Sequence, residues 1–450
     1  MAAVELAWSD PLTRLGPVLR PLIATTAGKA ARLASRLKGG GSALPGLVAE
    51  RLDPRFLAHA LGDVRGGIVV VPGTNGKTTT TKMLTAILRE HGLDVFSNPT
   101  GSNFTRGVIS AMLPKLPLSG RLTADAAVLE LDEAHALRFV DAVAPTHALL
   151  LNVARDQLDR FAEIDHTAQL LAKLAAGTRE AVVLNRDDSF VSRIAGDAGV
   201  PPAVYFGLDA SMQDRLAELQ EADVRFDDDT APPPPGPLDG LLHAVDERDF
   251  EVRFGDGLVL GPLRLRQRGL AAMINATAAA TTARRVLGDR FEVARALEAL
   301  RAVAPPFGRG EVIDVDGQPL ELVLVKNPAG FTVALSTYGS TPVATMVAIN
   351  DNYADGRDVS WLYDVSFGSL AQRGVAVTSG VRAYDMALRL YYDDVHTDRV
   401  EPDLITALDH LLATHPGEPT RIFCTYTAMM TLRRTLADRY GLAEFGEEAV

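Results

Sequence analysis

The sequence predicts an α/β protein with two parallel-sheet domains in succession, the second Rossmann-like, and three observations predict it. Short apolar runs alternate with helical patterns from about Gly66 to Gly207, and the alternation resumes near Gly310. Between the two blocks Ala304-Pro305-Pro306 makes a hinge, because a residue before proline is pushed out of the helical region. The chain thus divides into an N-terminal segment over 1–45, a central domain over 46–303 and a C-terminal domain over 304–450.

In the first block, residues 68–71, 126–130, 148–153, 181–184 and 204–206 read as buried strands. A strand covered by helices on both faces is apolar throughout instead of alternating. Between the first two, residues 79–90 place Met83, Leu84, Ile87 and Leu88 on one helical face, and the pattern stops at His91-Gly92 with glycine just past the end. The stretch 223–240 holds three aspartates at 227–229 and four prolines at 232–235, which cannot sustain a helix or a central strand and read as an exposed excursion. In the second block, strands fit 322–325, 343–349, 375–378 and 421–425, and helices fit 381–392, 404–415 and 428–440.

At 450 residues the chain is too long for one core, since single cores stop growing near about 250–300 residues. A hydrophobic content of 47% with 23% charged residues is that of a folded, water-soluble protein. The net charge of −12 argues against a surface devoted to nucleic-acid phosphates. One cysteine, Cys424, excludes an internal disulfide framework and a zinc site of several thiolates, so a reducing cytoplasm fits best. Glu5, Asp10, Arg14 and Arg20 interrupt the N-terminal apolar residues, leaving neither a signal-peptide core nor a membrane span. Residues 11–38 carry Arg14, Arg20, Lys29, Arg32, Arg36 and Lys38 with no acid, a basic amphipathic pattern that suits either a packed surface helix or peripheral contact with the inner face of the plasma membrane.

The strongest chemistry lies directly after the strand at 68–71. Pro72-Gly73-Thr74-Asn75-Gly76-Lys77-Thr78-Thr79 is a glycine turn that opens a helix. Glycines let backbone N–H groups close around phosphate oxygens, the helix N-terminus favours negative charge, Lys77 reaches the phosphates and the Thr78 hydroxyl suits Mg²⁺. Glu130 ends the strand at 126–130, at the carboxyl edge where open α/β sheets bind ligands, and with Glu133 in reserve it offers a hard oxygen for the same ion.

The loop has the short spacing G-x-x-G-K-T-T, and here the chain resembles the Mur ligase superfamily, whose members join amines to carboxylates through acyl phosphates. The resemblance implies ATP and Mg²⁺, the nucleotide held by Gly73, Thr74, Asn75, Gly76, Lys77, Thr78 and Thr79, and the metal by Thr78 and Glu130. It places Asn275 against the adenine and Arg309, from the domain junction, on the phosphates. Gln157 stands where relatives carry a histidine for a second metal, which puts that second site in doubt, and Lys173 reads as a helix-surface lysine.

Only about 65 residues precede the loop, too few for the uridine-nucleotide domain with which most Mur ligases begin. The stretches Lys326-Asn327-Pro328-Ala329-Gly330 and 350–364 instead resemble the MurT family. That resemblance implies the synthetase subunit of lipid II isoglutaminyl synthase. In this family a class I glutaminase of the GatD type supplies ammonia and the D-glutamate α-carboxyl of the lipid II stem peptide becomes D-isoglutamine. It further implies that Asp358, or alternatively Asp355, completes a Cys-His-Asp relay on the partner's histidine. With Lys77, these aspartates are the catalytic candidates. Cys424 sits in a β-branched and aromatic strand pattern where cysteine is buried and inert, so ammonia has to come from elsewhere. Many members of the family carry a four-cysteine zinc ribbon; this chain has the 223–240 stretch instead, and no zinc is expected. Two other readings compete. An amino-acid-adding or folylpolyglutamate-type ligase would consume an amino acid and need no partner, and a nucleotide-switched scaffold would make no acyl phosphate.

Overall fold

The computed structural model describes residues 19–37, 43–98, 104–154, 164–219, 235–246, 248–306, 308–339 and 341–442. Its strands are β1 (Ile68–Val71), β2 (Val95–Ser97), β3 (Ala126–Glu130), β4 (His147–Leu150), β5 (Ala181–Asn185), β6 (Ala203–Leu208), β7 (Gly240–Ala244), β8 (Asp249–Phe254), β9 (Val259–Arg264), β10 (Arg309–Val315), β11 (Gln318–Leu324), β12 (Ala344–Ala348), β13 (Val375–Ser379), β14 (Thr397–Glu401) and β15 (Thr420–Cys424). The helices are α1 (Leu19–Leu37), α2 (Leu44–Leu52), α3 (Phe56–Leu61), α4 (Lys77–Glu90), α5 (Thr105–Met112), α6 (Glu133–Ala142), α7 (Ile164–Ala176), α8 (Ser189–Ser192), α9 (Leu270–Leu287), α10 (Val293–Ala302), α11 (Pro328–Tyr338), α12 (Ala383–Tyr392), α13 (Leu404–Thr414) and α14 (Tyr426–Tyr440). Among the described residues no helix is long and apolar enough to cross a membrane.

The first sheet runs in the order β2-β3-β1-β4-β5-β6-β7-β8-β9. It is parallel from β2 to β7 and antiparallel from β7 to β9. Because successive strand residues point to opposite faces, Val69 and Val71 pack into one apolar layer and Ile68 and Val70 into another. Met83, Leu84, Ile87 and Leu88 of α4 and the alanines of α9 fill the first layer. Residues of α5 and α7, with Ala24, Ala49 and Phe56 of the three N-terminal helices, fill the second. The four β1 aliphatics are each at most 4% exposed, and burying each contributes roughly 1.5–3 kcal/mol. The basic helix α1 is therefore a packed element on this layer: Ala24 is buried, and Lys29 Nζ donates to the Leu116 carbonyl at 2.6 Å.

The second sheet runs β10-β11-β15-β12-β13-β14, with only the β10–β11 pair antiparallel. Central β15 divides its side chains in the same way. Ile422 and Cys424 lie in the layer of α13 and α14, while Phe423 lies opposite, its ring 5.5 Å from that of Phe331 in α11. The two-block α/β organisation is thus present, with differences at the margins. Strands β7 to β9 form an antiparallel extension that the apolar runs did not reveal, because β8 alternates buried with more exposed residues. The end of the 223–240 stretch is not an exposed loop: Asp239 is buried, accepting from Tyr205 N at 2.7 Å, and Gly240 begins β7. Its first part, like Gln157, lies outside the described residues.

Candidate active site

Strand β1 lies between β3 and β4, so the connections on its two sides diverge and open a crevice at its carboxyl end. There the chain turns through Gly73, at φ +136°, and Gly76, at φ +85°, into α4. Neither position accepts a side chain. A Cβ on Gly73 would come within 2.9 Å of Leu151 Cβ, and one on Gly76 would lie 2.4 Å from Asn275 Oδ1. Gly76 caps α4 without any side-chain hydrogen bond, which leaves the first amides of the helix for a ligand's oxygens.

Asparagines hold the loop in shape. Asn152 takes Asn75 N on its Oδ1 at 2.8 Å and gives its Nδ2 to Asn75 O at 3.0 Å. The Thr74 hydroxyl accepts from Ala154 N at 3.1 Å. Lys77 is buried, its ammonium donating to Gly73 O at 2.5 Å and lying 3.3 Å from Glu133 Oε1. Glu133, held in reserve as a metal ligand on sequence grounds, is in this structure the carboxylate beside Lys77. Glu130 ends β3 in register with Val71, and Asn98 grips its backbone on both sides, accepting from Glu130 N at 2.9 Å and donating to Glu130 O at 3.0 Å.

The residues present suit a nucleotide with Mg²⁺. Thr78 lies in the first turn of α4, half-buried, and Glu130 on the strand beside it. Among the described residues no group of three or more His, Cys, Asp or Glu could hold a metal. An ion at this place has to draw most of its ligands from phosphates and water, as Mg²⁺ does. Arg309 opens β10 and faces the same cleft, which Gly76, Thr79, Asn152, Asn275 and Lys326 also line. Burial works against its charge and only the Glu130 carboxylate offsets this, an arrangement that welcomes an incoming anion. Lys173 lies in the last turn of α7, exposed.

The second sheet reaches the loop through α11. Asn327, fully buried, caps that helix by accepting from Gly330 N at 2.7 Å, and its Nδ2 donates to Asn75 Oδ1 at 3.2 Å. Asn327 appears in a stretch that carries the resemblance, yet nothing local in the sequence marks it or Asn152 as a support of the loop.

The structure separates the two candidate relay aspartates. Asp355 is buried and turned inward, accepting from Thr427 N at 2.7 Å and Thr427 Oγ1 at 2.5 Å, which caps the start of α14. Burial pushes its carboxyl up, against those hydrogen bonds. Asp358 is exposed, and the Ser360 hydroxyl together with Ser360 N, which donates to it at 2.8 Å, holds its carboxyl below the usual range. Cys424 is fully buried beneath α14, and desolvation pushes its thiol far above the ordinary value, so no thiolate nucleophile forms there.

Two family models match the chain: the Mur ligase middle domain over residues 71–231 and the MurT ligase C-terminal domain over residues 324–429. The chain is 29% identical to the lipid II isoglutaminyl synthase (glutamine-hydrolyzing) subunit MurT of Streptococcus pneumoniae, over 94% of this chain and 98% of that one. Among solved structures it is similar to a pseudomurein peptide ligase type C from Methanothermus fervidus, with a TM-score of 0.64 at 18% identity over 84% of this chain and 79% of that one. It is also similar to the MurF ligase of Thermotoga maritima in complex with ADP, with a TM-score of 0.59 at 16% identity over 88% and 85% of the two chains. The chain belongs to the Mur ligase superfamily and, within it, to the MurT family.

Proposed function

We propose that the chain is the synthetase subunit of a lipid II isoglutaminyl synthase, an ATP-dependent carbon–nitrogen ligase that amidates the D-glutamate α-carboxyl of the peptidoglycan stem peptide. One observation carries the reading. A complete phosphate-loop site stands in a chain whose single thiol, Cys424, is buried beneath a helix and unreactive, so the ligase has no cysteine nucleophile with which to release ammonia from glutamine.

A carboxylate resists ammonia because oxide is its leaving group. Attack of a carboxylate oxygen on the γ-phosphorus, with cleavage of the bond to ADP, gives an acyl phosphate; ammonia then forms the C–N bond, phosphate departs with the C–O electrons, and a proton is lost. The loop amides, Lys77 and Arg309 stabilise the charge that spreads over the transferring phosphoryl oxygens. Thr78 and Glu130 would hold Mg²⁺, which when bound would neutralise the phosphates further. Asn275, packed on Gly76 and lining the cleft, offers an amide for the adenine edge. Asn75 and Asn327 hold the second sheet over the loop, which shields the acyl phosphate from water. Asp358, exposed and ionised, is the carboxylate that a GatD-type glutaminase can use to orient its catalytic histidine.

The test supplies purified chain, ATP and lipid II with ammonium chloride, then with glutamine, with and without a GatD-type glutaminase. Amidated lipid II with ammonium alone, and with glutamine only when the glutaminase is present, is the expected result. ADP release that instead requires a free amino acid, incorporated into product, would establish an amino-acid-adding ligase.

A further inference from the structure

Helix α1 is uncharged on two opposite faces. Pro21, Ala24, Thr25 and Gly28 form the inner one, buried on the first domain, where a Cβ on Gly28 would lie 2.8 Å from Leu113 Cδ2. At about 100° per residue the outward face consists of Leu19, Leu22, Ile23, Thr26, Ala30 and Leu33. Leu19 and Leu33 are 49% and 65% exposed, and Leu118, from the turn that packs on the start of α1 through Gly120, is 58% exposed. A helix that is apolar all round is ordinarily buried, so this outward face lacks the polar character of one that meets water.

Charge identifies the occupant. Arg20 stands at one border of the face and Lys29 at the other, with Arg32 one turn beyond. With Arg36 the helix has four cations and no acid, in a chain whose net charge is −12. Two acids on adjoining elements, Glu50 and Asp63, are paired with Arg106 and Arg121.

We propose that the outward face of α1 lies in the interface of an anionic lipid membrane, its leucines and Ile23 among the upper acyl chains and its flanking cations at the phosphate headgroups. Among the described residues no helix is long and apolar enough to cross a membrane, so α1 lies along the surface. A second copy of the chain suits the face less well. A two-fold contact would set the same cations against one another, with no acid on the helix to meet them. The purpose of the contact rests on the synthetase reading above, whose substrate is lipid-linked: it holds the ligase at the surface that carries that substrate.

The experiment floats the full chain with vesicles of phosphatidylcholine alone and of phosphatidylcholine with an equal part of phosphatidylglycerol. The chain should rise with the anionic vesicles, far less with the neutral ones, and progressively less as salt is added. Leu19→Glu and Leu33→Glu each weaken binding about tenfold or more, since each sets a charge in an apolar interface. Both keep the wild-type rate of ammonium-dependent amidation on detergent-dispersed lipid II and lose rate in step with binding when lipid II is supplied in anionic vesicles. Because Cys424 is fully buried, Leu33→Cys provides a single accessible thiol for an environment-sensitive fluorophore. Its emission should be that of a water-exposed dye until anionic vesicles shift it to the blue, while the same label at Val245→Cys, just after β7, does not shift. Three results overturn the membrane contact and leave the synthetase reading standing: a wild-type chain that does not float, undiminished binding in both glutamate variants, or a label at position 33 already blue-shifted without lipid, which shows the face covered by another part of the chain or by a second copy. Failure to amidate detergent-dispersed lipid II with ammonium overturns the synthetase reading, and with it the purpose given to the contact, while flotation still decides the contact itself.

Discussion

Asn327 Nδ2 donates to Asn75 Oδ1 at 3.2 Å, joining the phosphate loop of the first sheet to the helix cap of the second. The bond spans 252 residues of sequence. It joins the two sheets beside the Arg268–Glu321 pair at 3.7 Å and the Ser336 Oγ bond to Glu218 O at 3.4 Å, and Asn327 serves both sides because its Oδ1 also receives Gly330 N.

Replacing Asn327 separates those two duties. Asn327→Asp retains an acceptor for Gly330 N and loses the donor to Asn75, whereas Asn327→Ala loses both. We expect Asn327→Asp to lower kcat/KM for amidation about tenfold with little change in Tm, since tenfold corresponds to roughly 1.4 kcal/mol of transition-state stabilisation. Asn327→Ala adds the loss of a helix cap, typically ~1 kcal/mol, and lowers Tm as well. Steady-state kinetics beside calorimetry decide the matter; equal Tm losses in both variants would leave the cross-sheet bond without a catalytic part.

Gly76→Ala combines a backbone cost with a steric one. A left-handed conformation costs an ordinary residue roughly 1–2 kcal/mol, and here the new Cβ would meet Asn275 Oδ1 at 2.4 Å. Fluorescent-nucleotide titration should find ATP affinity reduced more than tenfold. Adding Asn275→Gly to this variant removes the clash and recovers Tm, while nucleotide affinity stays low because the loop and the amide expected at the adenine are both altered.

Arg309→Ala should divide activity from stability in the opposite sense. The guanidinium is desolvated with only the Glu130 charge to offset it, so its removal costs the folded state little. The phosphoryl-transfer step loses a cation aimed at the developing charge, an effect of about 10²–10³ in kcat. Single-turnover ADP formation beside thermal denaturation checks both halves; a large fall in Tm with unchanged kcat would make Arg309 structural.

The pH behaviour of the proposed relay follows from Asp358. The Ser360 hydroxyl and the Ser360 N–H hold its carboxyl below the usual carboxylate range, so the folded chain binds that proton less tightly than the unfolded chain. Its small contribution to stability is therefore present above the ordinary carboxylate pKa and is lost as pH falls through the folded value. Asp358 stays ionised wherever an imidazole titrates. The acid limb of glutamine-dependent amidation should consequently lie near ~6.5, the histidine range, and not near the carboxylate range. Asp358→Asn should lower that activity by a factor of about 10³ or more, by analogy with the wrong tautomer left when a relay carboxylate is neutralised, with ammonium-dependent amidation unaffected.

Much of this architecture was legible in local pattern. Residues 68–71 and 126–130 form strands at the limits read from their apolar runs, since a parallel strand buried on both faces leaves no polar residue to blur its ends. Short β2 and polar, edge-lying β14 lack that signal, and β8 carries the period of a half-buried strand instead. The glycines and Lys77 of the loop were visible because their chemistry depends on spacing within a few residues. The partnership of Lys77 with Glu133, the clamp of Asn152 on Asn75 and the contact of Asn75 with Asn327 join residues far apart in the chain, which no local pattern records. By sequence Asp358 was the candidate and Asp355 the alternative, but no local pattern separates their settings; Thr427 at the start of α14 turns Asp355 inward, while Asp358 lies at the surface.

The central claim is carboxylate activation through an acyl phosphate, and isotope transfer measures it directly. Lipid II labelled with ¹⁸O in the D-glutamate α-carboxylate is turned over by the chain with ATP and ammonium chloride, and the released phosphate is examined by mass spectrometry. Acyl-phosphate formation predicts one ¹⁸O atom in each phosphate for each amide formed. Unlabelled phosphate, with the oxygen drawn from solvent, would contradict it.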